Sequence, residues 1–340
     1  MNRISAEAIR ALPKVELHLH LDASVQPHSV GELCAEIGVS LPDDLGDALI
    51  CPPVCQDLAD YLHRIDLALC ALQTAPGLKR ASYELVADLA RENVIYAEIR
   101  YAPQLCVQRG LWMQQAIDAV TAGLRAGEEA FGVRTGQILC CLRHDPPELS
   151  HEVVQRAIAN WQPGRVVGVD LAADEANYLG SRDRSAFGSA QGVGMPRTVH
   201  AGEVAGANSI WEAIDLLGAQ RLGHGVHLED DPALFLPVRE RCIALEMCPS
   251  SNVRTRAVSS LPEHPIDRYL RLNLPVTVNT DGRTTSNTTL TQEYWKLVVQ
   301  FGWGLEEIQR TVRTAAASAF LDDEERAKLL QIIDQQWPSP

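Results

Sequence analysis

Basic residues are scarce in this chain. Its 340 residues carry 30 Lys and Arg against 44 Asp and Glu, a net charge of −14 at pH 7. The basic residues form no cluster able to neutralise a phosphate backbone, which argues against nucleic acid as a partner. Paired cysteines are also lacking. The nine cysteines are an odd number without metal-type spacing. Cys140 and Cys141 are adjacent in a strand-like run, and Cys51 and Cys55 flank two prolines. They read as reduced thiols filling the core of a cytoplasmic protein. No apolar run approaches the length of a membrane span, and the opening "MNRISAEAIRALPK" lacks the apolar centre of a signal peptide. A soluble protein with no membrane partner is expected. Internal repeats, low-complexity tracts and linkers are absent as well. Length alone would allow two or three domains, but 46% hydrophobic content is ample for one large core. The expectation is a single domain over residues 1–340.

The chain does contain a steady alternation of short β-rich apolar runs and amphipathic segments. Strand candidates are 15–21, 94–103, 136–142, 166–172, 197–203, 221–228, 242–249 and 275–281. Helical periodicity falls mainly between them, over 28–38, 57–92, the run ended by Gly132, 147–160, 184–192, 209–219 and two C-terminal segments. Strand–helix alternation predicts a parallel sheet. Eight repeats without a Gly-rich phosphate turn predict an α/β fold of the closed (β/α)8 TIM-barrel type. The long helical stretch between strands 1 and 2 is then an insertion, placed over the barrel mouth.

The run "VELHLHLDA" carries His18 and His20 two residues apart, on one face of a strand. On that run alone, two hydrogen-bonded core histidines and two metal ligands are equally good readings. Further along, His200 and Glu203 end strand 5, His224 lies in strand 6, and Asp281 ends strand 8. Any one of these could be structural. All of them fall at the C-terminal ends of barrel strands, where the active sites of this fold are built. Three histidines and one carboxylate suit Zn²⁺ with a position left for water. Zinc lowers the pKa of such a water to ~7. Glu203 is the natural proton donor, and His224, working with Asp281, the natural group to orient the water. A binuclear site would need a bridging Lys after strand 4. That strand reads "VVGVDLAADE", without one, so one zinc per chain is expected.

Taken in order, "PKVELHLHLDAS", "GVDLAADE", "TVHAGE", "RLGHGVHLED", "LEMCPSSN" and "VTVNTD" resemble the motifs of the adenosine deaminase family of the amidohydrolase superfamily. The resemblance runs over nearly the whole chain. It implies a hydrolytic deaminase acting on the 6-amino group of a purine nucleoside. It implies His18, His20, His200 and Asp281 as zinc ligands. Glu203 would protonate the ring nitrogen beside C6, and His224 would orient or deprotonate the attacking water. With Asp281 these are the catalytic positions. His20, Asp22, Ala173 and Gly282 fall on the substrate side, Asp22 matching a family contact to the ribose 5′-hydroxyl.

The chain departs from the family pattern at three places. Ala173 stands where a Gly offers its N–H to the base, a bond that an Ala offers at negative φ. Gly282 stands where a second acid contacts the imidazole ring of the purine. Ala23 replaces a Gly beside Asp22. The rival expectation is a deaminase of adenine or of another 6-aminopurine derivative. A metal-dependent amidase or phosphoesterase is disfavoured by the missing Lys and by Glu203. A ligand-binding relative without activity would have no use for a proton donor.

Overall fold

The computed structural model of the protein describes residues 4–338. Eight parallel strands form the centre: β1 (Lys14–His20), β2 (Val94–Tyr101), β3 (Arg134–Leu142), β4 (Val166–Ala172), β5 (Thr198–Ala201), β6 (Arg221–His224), β7 (Ala244–Met247) and β8 (Val276–Val278). They pair in chain order as β1–β4 and β5–β8. Bridges between Val169 and Arg197 and between Leu19 and Asp281 join the two halves. The result is the (β/α)8 barrel that the alternation predicts.

The seam between β8 and β1 explains why β8 is shorter than its apolar pattern. Regular pairing stops at Val278, and the Asn279 side chain takes over. Its Oδ1 accepts from the backbone N–H of Leu17 and of His18 at 3.0 and 3.1 Å. Beyond it the N–H of Asp281 donates to His18 O at 3.0 Å, and that of His20 donates to Asp281 O at 2.7 Å. This lacing holds Asp281 against both histidines of β1. β6 is also shorter than expected. His224 and Gly225 take φ of 66° and 65°, which end an extended run, and a short 3₁₀ turn over Val226–Asp230 follows.

The predicted helical stretch 57–92 is two helices. Leu58–Leu69 and Ala75–Ala90 are separated by a 3₁₀ turn, and Thr74 caps the second by accepting from the N–H of Gly77. Pro76 in the first turn of that helix suits a start and not an interior. Helices at Ala6–Ala11, Leu45–Leu49 and Asp323–Gln336 were not expected from periodicity. The first two are too short to show a period. Among the described residues no helix is long and apolar enough to cross a membrane.

The barrel interior is charged where an apolar core would be the default. Arg100 and Arg221 are buried on β2 and β6. Arg100 donates to Asp170 Oδ2 at 2.8 Å and to Glu246 Oε2 at 2.7 Å. Arg221 pairs with Glu98 at 2.5 Å and with Glu246 at 2.6 Å. Burial pushes the Glu246 carboxyl up, but the two guanidiniums outweigh it and hold the group well below the ordinary range. Buried pairs of this kind are poor sources of stability, because desolvation costs several kcal/mol per ion. Their place directly beneath the histidines gives them another use.

Candidate active site

The histidines of β1 and β5 and the aspartate after β8 meet at the C-terminal mouth. One donor atom each from His18, His20, His200 and Asp281 lies within 4.8 Å of all the others. His20 Nε2 and His200 Nε2 are 3.3 Å apart. Asp281 Oδ1 is 3.5 Å from His18 Nε2 and 3.4 Å from His20 Nε2. Space for the rings depends on Gly223 in β6. A Cβ there would come within 2.9 Å of His18 Cε1 and 3.1 Å of His200 Cα.

The barrel carboxylates orient two of these rings. His18 Nδ1 lies 3.0 Å from Glu246 Oε2, and His200 Nδ1 lies 2.9 Å from Asp170 Oδ2. Each ring therefore donates from Nδ1 and turns Nε2 to the centre of the cluster. Arg100 holds both carboxylates, so one guanidinium fixes two rings on different strands. His18 Nε2 is buried without a hydrogen-bond partner. A buried, unpaired imidazole nitrogen facing two more imidazoles and a carboxylate is the donor set of a metal ion and a poor arrangement for anything else. Asp281 is steadied by Ser251, whose hydroxyl donates to Oδ2 at 2.5 Å.

Glu203 and His224 stand beside the cluster, with Glu203 Oε2 and His224 Nε2 3.5 Å apart. Burial raises the Glu203 carboxyl well above the usual range, and the charges of Asp281 and Glu175 add to this. Glu203 is thus a buried acid biased toward its protonated form. Its loop is clasped by Glu175, which accepts from the N–H of Gly202, Glu203, Val204 and Ala205 at 2.6 to 3.1 Å. Glu175 closes the "LAADE" run, and residue periodicity had given it no role.

These groups open into a cavity of about 180 Å³. Asp22, Ala173, Glu203 and His224 line it together with Leu58, Tyr61 and Leu62 of the inserted helix. The insertion therefore does cover the mouth. A wider cleft of about 420 Å³ between Arg10, Asp88 and Gln292 holds none of these site groups. Burial, reinforced by Asp281, raises the Asp22 carboxyl to about 7.

Two expectations about the base side need correction. Ala173 lines the cavity but has φ 72°, not the negative φ under which an Ala was expected to offer its N–H. The backbone keeps the left-handed turn that a Gly takes freely, and the Ala bears a strain of ~1–2 kcal/mol. His224 and Asp281 are also left-handed, at 66° and 64°. Strain of this kind collects at functional sites. Gly282 is buried and is not among the residues lining the cavity. A Cβ on it would lie 2.6 Å from Ala23 Cβ and 2.9 Å from Tyr61 Oη. Ala23 thus occupies the space that a side chain at position 282 would need. Tyr61 Oη, 2.9 Å from Ser286 Oγ, occupies the adjoining space. Arg283 turns away and pairs with Glu92.

A sequence profile described as adenosine deaminase matches residues 13–336. The chain belongs to the adenosine deaminase family. It is 38% identical to an adenosine deaminase of Enterococcus faecalis, over 97% of this chain and 98% of that one. It is 40% identical to one of Mycobacterium ulcerans, over 97% and 95%. Solved structures of the same fold include an adenine deaminase from Arthrobacter aurescens (TM-score 0.88, 28% identity, 95% and 98% coverage). Another is an amidohydrolase from Burkholderia ambifaria with bound zinc (0.88, 25%, 98% and 95%). A third is the N6-methyl-AMP deaminase of Arabidopsis thaliana (0.85, 26%, 97% and 98%).

Proposed function

We propose that the protein catalyses the zinc-dependent hydrolytic deamination of adenosine and 2′-deoxyadenosine, giving inosine or 2′-deoxyinosine and ammonia. The observation that carries this reading is the meeting, at the barrel mouth, of three imidazoles and a carboxylate within ligand distance of one another and, beside them, a buried carboxylic acid biased toward its protonated form. His18, His20, His200 and Asp281 hold one zinc. When bound, the metal supplies a nucleophilic water at neutral pH. Glu203 gives its proton to the purine nitrogen beside C6, so that negative charge does not build up on the ring as C6 is attacked. His224 orients the attacking oxygen. The apolar residues of the inserted helix exclude bulk water, and Asp22 meets the ribose 5′-hydroxyl. Residues 1–340 act as one unit in this reading, which the family match over most of the chain supports. A cytoplasmic location is part of the same proposal.

A second reading, a deaminase of adenine or another 6-aminopurine, draws on the similar structures of enzymes with those activities. Against a nucleotide stands the composition of the cavity. Among the described residues neither Lys nor Arg lines it, whereas Asp22 and Asp66 do. A phosphate there would meet carboxyls and neither a guanidinium nor an ammonium.

Two results are expected from this site. Glu246→Gln keeps the shape under His18 but loses the charge that orients the ring. Zinc affinity should fall ~10–100-fold in a competition titration against a chelating dye. An unchanged affinity would remove Glu246 from ligand support. The second concerns Gly282, which has no side chain to meet the imidazole ring of the purine. Replacing that ring's nitrogen by carbon in 7-deazaadenosine should lower kcat/KM less than ~10-fold, because at most one neutral hydrogen bond is at stake. Gly282→Asp should reduce activity, since overpacking against Ala23 and Tyr61 typically costs ~1–3 kcal/mol. Ala23→Gly in the same chain should recover part of it. A loss above ~100-fold for the analogue would show that another group, such as the Tyr61 hydroxyl, makes the contact.

A further inference from the structure

His224 is reached from behind by a directed line of hydrogen bonds. The N–H of Ile266 donates to His264 Nδ1 at 3.2 Å. A ring nitrogen that accepts carries no proton, so the neutral His264 ring holds its proton on Nε2. Burial keeps that ring neutral, its pKa pushed down to about 3. His264 Nε2 then donates to Asn252 Oδ1 at 3.1 Å. The same oxygen accepts from the backbone N–H of Cys248 at 3.3 Å. Two donors therefore mark the oxygen end of the Asn252 amide, and rotating it would set an NH₂ group against both. The nitrogen end is left facing His224 Nδ1, at 2.9 Å. Asn252, His264 and His224 are all buried, so water is not at hand to replace any member.

We propose that His264 and Asn252 are positioning residues that hold His224 as the tautomer protonated on Nε2. Nδ1 accepts from Asn252 and so bears no proton, and the single proton of the neutral ring sits on Nε2. That nitrogen is the one turned toward Glu203, while the ring packs 4.7 Å from the ring of His18, centroid to centroid. His224 therefore offers the attacking oxygen a hydrogen-bond donor and has no lone pair there to take its proton. Of the two roles open to His224, orienting the water and deprotonating it, the relay selects the first. The assignment rests on the hydrolytic reading of the site only for its consequence. The tautomer itself follows from the hydrogen bonds.

Asn252→Asp is the sharp test. A carboxylate has nearly the shape of the amide and still accepts from Cys248 and His264. It accepts from His224 as well, which inverts the tautomer. The ¹⁵N spectrum of histidine-labelled, zinc-loaded protein reads the state of each ring nitrogen, and His224→Gln identifies the signals of His224. The wild type should show His224 protonated on Nε2, and Asn252→Asp should show it protonated on Nδ1. In the variant, kcat should fall at least ~100-fold, with KM within a few-fold and zinc content unchanged. A wrong histidine tautomer in the serine-protease triad costs ~10⁴ in kcat. A wild-type His224 protonated on Nδ1, or a variant with kcat within a few-fold of wild type, overturns the assignment. Should Asn252→Asp fail to fold, the wild-type spectrum alone decides. The spectrum needs no substrate. A protein inactive on every purine but protonated on Nε2 would fault the proposed function and support the relay.

Discussion

Glu203→Gln is expected to bind zinc and purine nucleoside as before and to lose ~10²–10⁴-fold in kcat. The amide is nearly isosteric with the carboxyl, so the backbone clasp of Glu175 on the Glu203 loop survives. What disappears is the proton. In the native site that proton is held by burial and by the neighbouring charges of Asp281 and Glu175, which together raise the carboxyl well above its ordinary range. The sign matters for the pH profile. A raised acid keeps its proton to higher pH than an ordinary carboxyl, so this requirement fails only as the pH climbs through the raised value. Gln has no such limb. Steady-state kinetics with zinc quantified on the same sample checks this. A variant within a few-fold of wild type would remove Glu203 from the proton-donor role.

Loss of a ligand should be as costly by another route. His18→Ala and His200→Ala are expected to lose zinc and turnover together. Each ring supplies one of only four donors, and each leaves a buried carboxylate, Glu246 or Asp170, without its imidazole partner. His224→Ala should retain about one zinc per chain and still lose turnover, because its ring borders the cluster without belonging to the four-donor set. Metal analysis of the three purified variants separates the cases. A metal-free His224→Ala would move His224 among the ligands. Two zinc ions per wild-type chain, both needed for activity, would overturn the mononuclear site.

The cluster of His18, His20, His200 and Asp281 was legible in the sequence because few residue types suit the proposed ligation and because strand ends of a barrel converge. His18, His20, His200 and Asp281 each sit where a strand was expected to finish, and the structure brings them together. The support beneath them was not legible. Arg100, Asp170 and Glu246 occupy strand positions that alternation leaves undefined, and only closure of the barrel shows that they point at one another. The same holds for Asn279, whose side chain replaces backbone pairing at the β8–β1 seam. Periodicity extends a strand until something visible stops it. At His224 the stop is a left-handed residue other than glycine, an uncommon conformation that periodicity does not mark. Asn252 and His264 were invisible for a further reason: their value lies in which atom donates, and that needs coordinates.

The most direct test of the central claim is the relative kcat/KM of zinc-loaded protein on adenosine, 2′-deoxyadenosine, adenine and N6-methyl-AMP, with products separated by chromatography. The account predicts inosine and 2′-deoxyinosine, each with one equivalent of ammonia, at rates at least ~100-fold above those for the free base and the nucleotide. That gap corresponds to ~2.7 kcal/mol in transition-state binding. A higher kcat/KM on adenine or on the nucleotide would contradict it.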